Sequence, residues 1–356
     1  MTNKYDKVVG DHLLISNYVR YETLCNLINK EFYNSNYEEI TLCIDAYSMI
    51  KSIYGLNPSQ FIDRYSIASC IINACAHYRN FFWTRYKVTC KIFIVFSRME
   101  ESIRESRQFY PEYGNIFTNE NNHDMDLMIE ENMYILKLLC PYIPDVQFVY
   151  SKYEPMVVFG KIAVASGANK NTRNPTIIVS KDPMILQNVA NDPMVYMLRP
   201  VKQNGNDLSV LISNNTVMDY YLALRKVKEY VPIHPSYLSF IISATRFPER
   251  GLKSLHNISS IIKYLYNAIS QNYINQKGVY DIEGLCKDLE TFNKVKLKLF
   301  DIVLRMNAIG YNNCMLRYMI TPQIDNLDMI NLIDPNSVKQ INERYFSKVP
   351  LDLMSL

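Results

Sequence analysis

The 356-residue chain lacks any C-x-x-C pair: Cys25, Cys43, Cys70, Cys75, Cys90, Cys140, Cys286 and Cys314 lie singly inside apolar segments. That spacing argues against a zinc ribbon or a secreted disulfide framework. Buried free thiols in a reducing compartment are the expectation. The sequence also lacks a basic start leading into a long apolar run, and nowhere do about 18 apolar residues follow one another without charge. Neither a signal peptide nor a membrane span is expected, and an intracellular location is. Charge of one sign is scarce as well: 38 Lys and Arg stand against 35 Asp and Glu, a net charge of +3. The pI is near 8.2, so no global field advertises a polyanion partner and any nucleic-acid surface has to be local. No Gly-Lys-Ser/Thr phosphate loop occurs; "SGANKNTRNP" has one glycine. No Ser-His-Asp order, internal repeat or low-complexity block stands out. The five histidines are scattered singly, and His77, inside an apolar segment, reads as a core residue.

What is present is material for a large core, with 48% hydrophobic residues. Residues 1–38 read as a helical extension, because Leu13, Leu14, Tyr18, Tyr21, Leu24, Leu27 and Ile28 recur at three- and four-residue steps. "ITLCIDAYSMI" predicts a strand ending at Asp45 and then a turn, and Asn57-Pro58 predicts the start of a long helix. "VTCKIFIVFS", "DVQFVYS", "TIIV" and "MVYMLR" predict further strands. The polar stretch from Arg98 to Asp124 reads as an exposed excursion, within which "SRMEESIRESR" sets Arg98, Arg104 and Arg107 against Glu100, Glu101 and Glu105 as an ion-paired helix face rather than a threading arch. Strands alternating with helices over 39–207 imply an α/β domain with a mostly parallel sheet covered on both faces. Residues 208–310 read as helix after helix closing at Gly310, and 311–356 as a tail.

Four polar or acidic residues fall at a strand end or helix start on the edge where open α/β sheets place ligands: Asp45, Ser97, Glu154 and Asp182. "CIDAYSMIKSIYG" is an apolar run, Asp, then a small-residue turn. "IFIVFSRMEESIRESRQFYPEYG", "YEPMVVFGKIAVAS", "IIVSKDPMILQNV" and "FIISATRFPERGLKSLHNISSIIKYL" follow in order. Over residues 40–270 this order resembles the 5′-nuclease family, the flap endonucleases and the phage or polymerase-associated 5′–3′ exonucleases. The resemblance implies a PIN-like α/β fold followed by a helix-hairpin-like region. It implies two-metal phosphodiester chemistry with Mg²⁺ or Mn²⁺, which needs several carboxylates to hold two dications close together.

The departures from the family pattern fall on those carboxylates. Ser97 stands where the family has Asp after Phe, Met156 and Val157 where it has the two aspartates of Glu-Ala-Asp-Asp, and Met184 where it has the second Asp of Ser/Thr-x-Asp-x-Asp. Asp45, Glu154 and Asp182 survive, enough for at most one ion. Thioether and aliphatic groups cannot stand in for oxygen anions. An acid at a helix start can also simply accept backbone N–H groups, and Glu154 is expected to do so. Asp124, Asp126, Glu130 and Glu131 form a second acidic cluster, expected as the first turn of a helix rather than as a metal site.

Arg225, Lys226, Lys228, Arg246, Arg250, Lys253 and Lys263 lie where the resembled family grips duplex DNA, against two acids, Glu229 and Glu249. The family's glycine-rich turn is replaced by Ser254-Leu255-His256, but Lys and Arg hold phosphates without it. The leading expectation is a pseudo-nuclease of a phage or large virus, in the host cytoplasm if viral. It would act as a nucleic-acid-binding or assembly module, with DNA preferred over RNA, no membrane partner and no cofactor. Two alternatives stay open: a divergent Mg²⁺- or Mn²⁺-dependent 5′–3′ exonuclease or flap endonuclease, and a structural subunit whose basic stretch meets an acidic protein.

Overall fold

A computed structural model of the chain describes residues 14–16, 37, 39–56, 66–114, 123–168, 174–203, 206–227, 232–268, 284 and 299–308. Its centre is a seven-stranded sheet in the order β1-β7-β6-β5-β2-β3-β4. The strands are β1 (Leu14–Ser16), β2 (Glu39–Asp45), β3 (Thr89–Ser97), β4 (Val146–Ser151), β5 (Thr176–Val179), β6 (Val195–Gln203) and β7 (Asn206–Ile212). Strands β2 to β6 run parallel, while β7 pairs antiparallel with both β6 and β1. The expected mostly parallel α/β architecture is therefore the observed one.

The helices are α1 (Ala46–Leu56), α2 (Ser66–Tyr86), α3 (Glu100–Phe109), α4 (His123–Leu139), α5 (Pro155–Ala168) and α6 (Leu186–Asn191), followed by α7 (Val217–Leu224), α8 (Leu238–Ala244), α9 (Ile258–Ala268) and α10 (Leu299–Ala308). Side chains of a strand point alternately to its two faces, and here both faces are covered. Leu42, Ile44, Ile92, Ile94, Phe96, Ile177 and Val179 pack in one layer with α1, α2 and α4. Cys43, Val95, Ile178 and Met197 pack in the other with α5 to α10. This double burial is why the strands read as unbroken apolar runs. Cys43, Cys75, Cys90 and Cys140 are buried free thiols, and burial raises the Cys43 thiol far above its usual range, so that it stays protonated.

The structure corrects the sequence reading in four places. Where a turn was expected after Asp45, α1 begins at once, because the Asp45 carboxylate accepts the Ser48 N–H and caps it. The proposed helix start at Asn57-Pro58 lies outside the described residues. The stretch read as an exposed excursion opens with α3, the helix expected there, but one face of that helix is docked and not exposed. Ser102 accepts the Glu154 N–H, and Ser106 donates to the Ala308 carbonyl, so serine rather than aliphatic residues carries its inward face and the docking is invisible in hydropathy. The expected run of helices from 208 opens instead with β7, which carries Val210 and Ile212 into one core layer and Leu211 into the other. Leu14, read as part of a helical extension, lies in β1 opposite Val210, where pairing with β7 overrides local periodicity. The rest of the extension apart from Tyr37, and all of 311–356, lie outside the described residues.

Candidate nucleic-acid interface and the acidic sheet edge

Strand order reverses between β2 and β5: the chain passes from β2 to β3 and β4 on one side, then returns to β5 and β6 on the other. The crevice at the carboxyl ends of strands flanking such a reversal is where open α/β sheets bind ligands. Asp45 ends β2 and Asp182 follows β5, so both lie beside the reversal, and Ser97 and Glu154 follow on the ends of β3 and β4. The topology thus brings the four expected positions to one edge.

Asp45 is almost fully buried. Its Oδ1 accepts the Ser48 N–H at 3.0 Å and its Oδ2 accepts the Ser180 hydroxyl at 2.6 Å. Burial pushes its carboxyl up to about 7, aided by the charge of nearby Asp182 and opposed by the Ser180 and Ser48 bonds and by Arg250. Both oxygens are thus engaged by the protein's own donors.

Glu154 and Asp182 share one partner. Arg250, from the short 3-10 turn Pro248–Arg250 between α8 and α9, donates from Nε to Glu154 Oε1 at 2.9 Å and from Nη2 to Asp182 Oδ2 at 2.5 Å. The side chains of Arg250 and Glu154 are 4% and 3% exposed, Asp182 13%. Tyr113, fully buried, donates its hydroxyl to the same Glu154 oxygen at 2.6 Å. Asp182 Oδ1 accepts the Met184 N–H and caps the turn into α6. Burial alone works against the guanidinium charge, but facing Asp182, Glu154 and Tyr113 outweighs it, and Arg250 titrates well above the usual range. Glu154, expected to cap α5, gives its carboxylate to Tyr113 and Arg250 instead.

The positions without the family's acids are occupied by core. Met156 and Met184 are fully buried, and the Gln187 amide donates to the Met156 sulfur at 3.1 Å and lies 3.7 Å from that of Met184. The Ser239 hydroxyl donates to Gln187 Oε1 at 2.8 Å, and the Asn188 amide to the Met156 carbonyl at 3.0 Å. Val157 is buried on α5, and the Ser97 hydroxyl donates to the Tyr153 carbonyl. Two of the three acids at this edge are bridged by an arginine, Asp45 is held by Ser48 and Ser180, and amide, thioether and hydroxyl groups fill the rest. This donor set does not fit a pair of divalent cations, which require oxygen anions. Of the second acidic cluster, Asp124 and Asp126 fall in the first turn of α4 as expected, while Glu130 and Glu131 lie further along it; Asp126 and Glu130 are exposed, Glu131 is half-buried, and Glu130 pairs with Arg98 rather than with a helix neighbour. Among the described residues no group of three or more His, Cys, Asp or Glu is placed to hold a metal ion.

The basic residues divide into two groups. Arg250 is the buried bridge, and Arg225 is a bidentate partner of Glu249, at 2.9 and 2.8 Å, stacked over Tyr221 and Phe247. Lys226, Arg246, Lys253 and Lys263 are exposed, Lys253 lying 3.3 Å from Glu112; Lys228 lies outside the described residues. Arg225, Lys226 and Arg246 line a cleft of about 340 Å³ with Ser254, His256 and Asn257. Asn257 caps α9 by accepting the Ser259 and Ser260 N–H groups, so a helix N-terminus borders the same cleft. Sequence reading missed Tyr113, Ser180 and Gln187, and it grouped Arg250 with the phosphate-contacting basic residues, where the structure shows it buried against Glu154 and Asp182. Two acids left in apolar surroundings without companion acids need a buried base, and that requirement was the available clue.

No protein-family model and no curated protein sequence matches this chain. Solved structures do. The 5′-exonuclease of bacteriophage T5 with bound zinc superposes at a TM-score of 0.50 with 8% identity, over 86% of this chain and 98% of that one. A T5 protein co-crystallised with metal ions gives 0.48 and 12%, over 88% and 99%. A T5 flap endonuclease pseudo-enzyme complexed with product DNA and metal ions gives 0.46 and 11%, over 89% and 99%.

Proposed function

Starting from a fold that resembles the T5 5′-exonuclease, we propose that this chain is a catalytically degenerate 5′-nuclease-like protein. In this reading it binds nucleic acid, DNA in preference to RNA, through the cleft lined by Lys226 and Arg246. The observation that carries the reading is the Arg250 bridge between Glu154 and Asp182. A guanidinium balances charge but has no open coordination site, so it can neither bind and acidify a water nor hold a leaving oxygen as a metal ion does. The cleft supports the binding half of the reading: exposed cations beside a capped helix start are suited to backbone phosphates. No helix among the described residues is long and apolar enough to cross a membrane.

The test is a cleavage assay on a 5′-labelled flap and on duplex DNA with Mg²⁺ and with Mn²⁺, beside Asp45→Ala/Asp182→Ala. The expected result is no cleavage above that control. Robust cleavage abolished in the control would instead identify a divergent nuclease. DNA affinity measured against salt then tests the binding half: a steep decline is expected, and no affinity even at low salt would leave protein assembly as the function.

A further inference from the structure

The edge where the sheet's strand order reverses carries two acids that are nearly dry, Glu154 just before α5 and Asp182 at the turn before α6. Left alone, such a pair repels and pays the full cost of burial. The geometry points to Arg250 as the resident cation of this edge: it occupies the place of a divalent ion between Glu154 and Asp182, and it fastens the helical segment to the sheet. The inference rests on the acids and their bridge, not on nucleic-acid binding.

Three donors of Arg250 are accounted for. Nε reaches Glu154, Nη2 reaches Asp182, and Nη1 donates to the Glu249 carbonyl at 3.0 Å. Its own carbonyl accepts the Gly114 N–H at 3.1 Å, so the residue also holds the loop that carries Tyr113, the second donor to Glu154. The two carboxylates are thus met by one cation and several directed hydrogen bonds. A metal ion at such a place dissociates and its occupancy follows its supply. A guanidinium tethered to the chain has a fixed effective concentration and is present whenever the 248–250 turn is docked. Conversely, the edge can take a metal only if the arginine leaves.

Thermal unfolding of the full chain tests this with and without Mn²⁺ as the sole added divalent ion. Arg250→Met is expected to lower Tm by on the order of 10 °C at neutral pH, because it strands two buried carboxylates. Glu154→Gln/Arg250→Met is expected to be more stable than Arg250→Met alone, since the more deeply buried charge is gone. Arg250→Ala, which also opens space, is expected to gain a saturable rise in Tm with Mn²⁺ that the unmodified chain lacks. The inference is overturned by an Arg250→Met protein as stable as the parent, or by a double variant no better than the single one. It is equally overturned by an Arg250→Ala protein whose response to Mn²⁺ does not exceed the parent's. Should Arg250→Met fail to fold, recovery of a folded chain in the double variant supports the inference and its absence refutes it.

Discussion

A single side chain can decide what a sheet edge does. Introducing aspartate at Met156 or Met184 would put a carboxylate into a position that is fully buried against Gln187. Met156→Asp and Met184→Asp are therefore each expected to cost several kcal/mol, as about 3–5 kcal/mol is typical of an uncompensated buried charge, and to restore no cleavage while Arg250 is present. Chemical denaturation and the flap assay check both halves. Asp45 makes a pH-dependent case. Its folded-state carboxyl is raised to about 7 from an ordinary 3.8, chiefly by burial. The folded chain then holds this proton more tightly than the unfolded one. The stability it contributes is complete below the ordinary carboxylate range and is lost as pH rises through 7. Asp45→Asn, which keeps an acceptor for the Ser48 N–H, is expected to flatten the fall in Tm between pH 5 and pH 8. An unchanged slope would show that another group sets it.

At the level of elements, α10 is held to the end of α8 and to the loop before α9 through backbone carbonyls gripped by a buried arginine. Arg305 on α10 donates from Nη1 to the carbonyls of Lys253 at 2.6 Å and Thr245 at 3.3 Å, and from Nη2 to the Tyr110 hydroxyl at 2.9 Å. Its guanidinium also stacks 4.9 Å from the Tyr110 ring. Arg305→Met keeps much of the stem and abandons these acceptors near the end of α8. A loss on the order of 3 kcal/mol is expected by urea titration, with the m-value unchanged. The turn after α3 is similarly constrained. Gly114 has φ of +72°, and a Cβ there would sit 3.2 Å from Ile103. Gly114→Ala is expected to lose about 1–2 kcal/mol and to loosen the hold of neighbouring Tyr113 on Glu154. Element legibility followed hydropathy: β2 to β6 could be read because both their faces are apolar, and the docking of α3 could not, because Ser102 and Ser106 carry its inward face through hydrogen bonds.

For the whole molecule, the acids of the edge were legible one by one, and the bridge between them was not. Arg250 meets Asp182 across 68 residues of chain and Glu154 across 96. No local pattern encodes such a meeting, and a sequence window sees Arg250 only as one more base beside Arg246 and Lys253. The separation of basic residues into buried clamps and exposed contacts therefore needs the three-dimensional fold. It also makes the binding proposal specific. Lys226→Glu and Arg246→Glu are expected to weaken DNA binding with little change in Tm, each charge removed lowering the salt slope by about 1 in a log–log plot. Variants with unchanged slopes would move the interface elsewhere. The short strand β1 has an effect out of proportion to its three residues. By pairing with β7 it covers backbone N–H and C=O groups that would otherwise stand open along one rim of the sheet. Deleting residues 1–16 would leave that rim as a template for another chain, so the shortened protein should self-associate in light scattering well before its core unfolds.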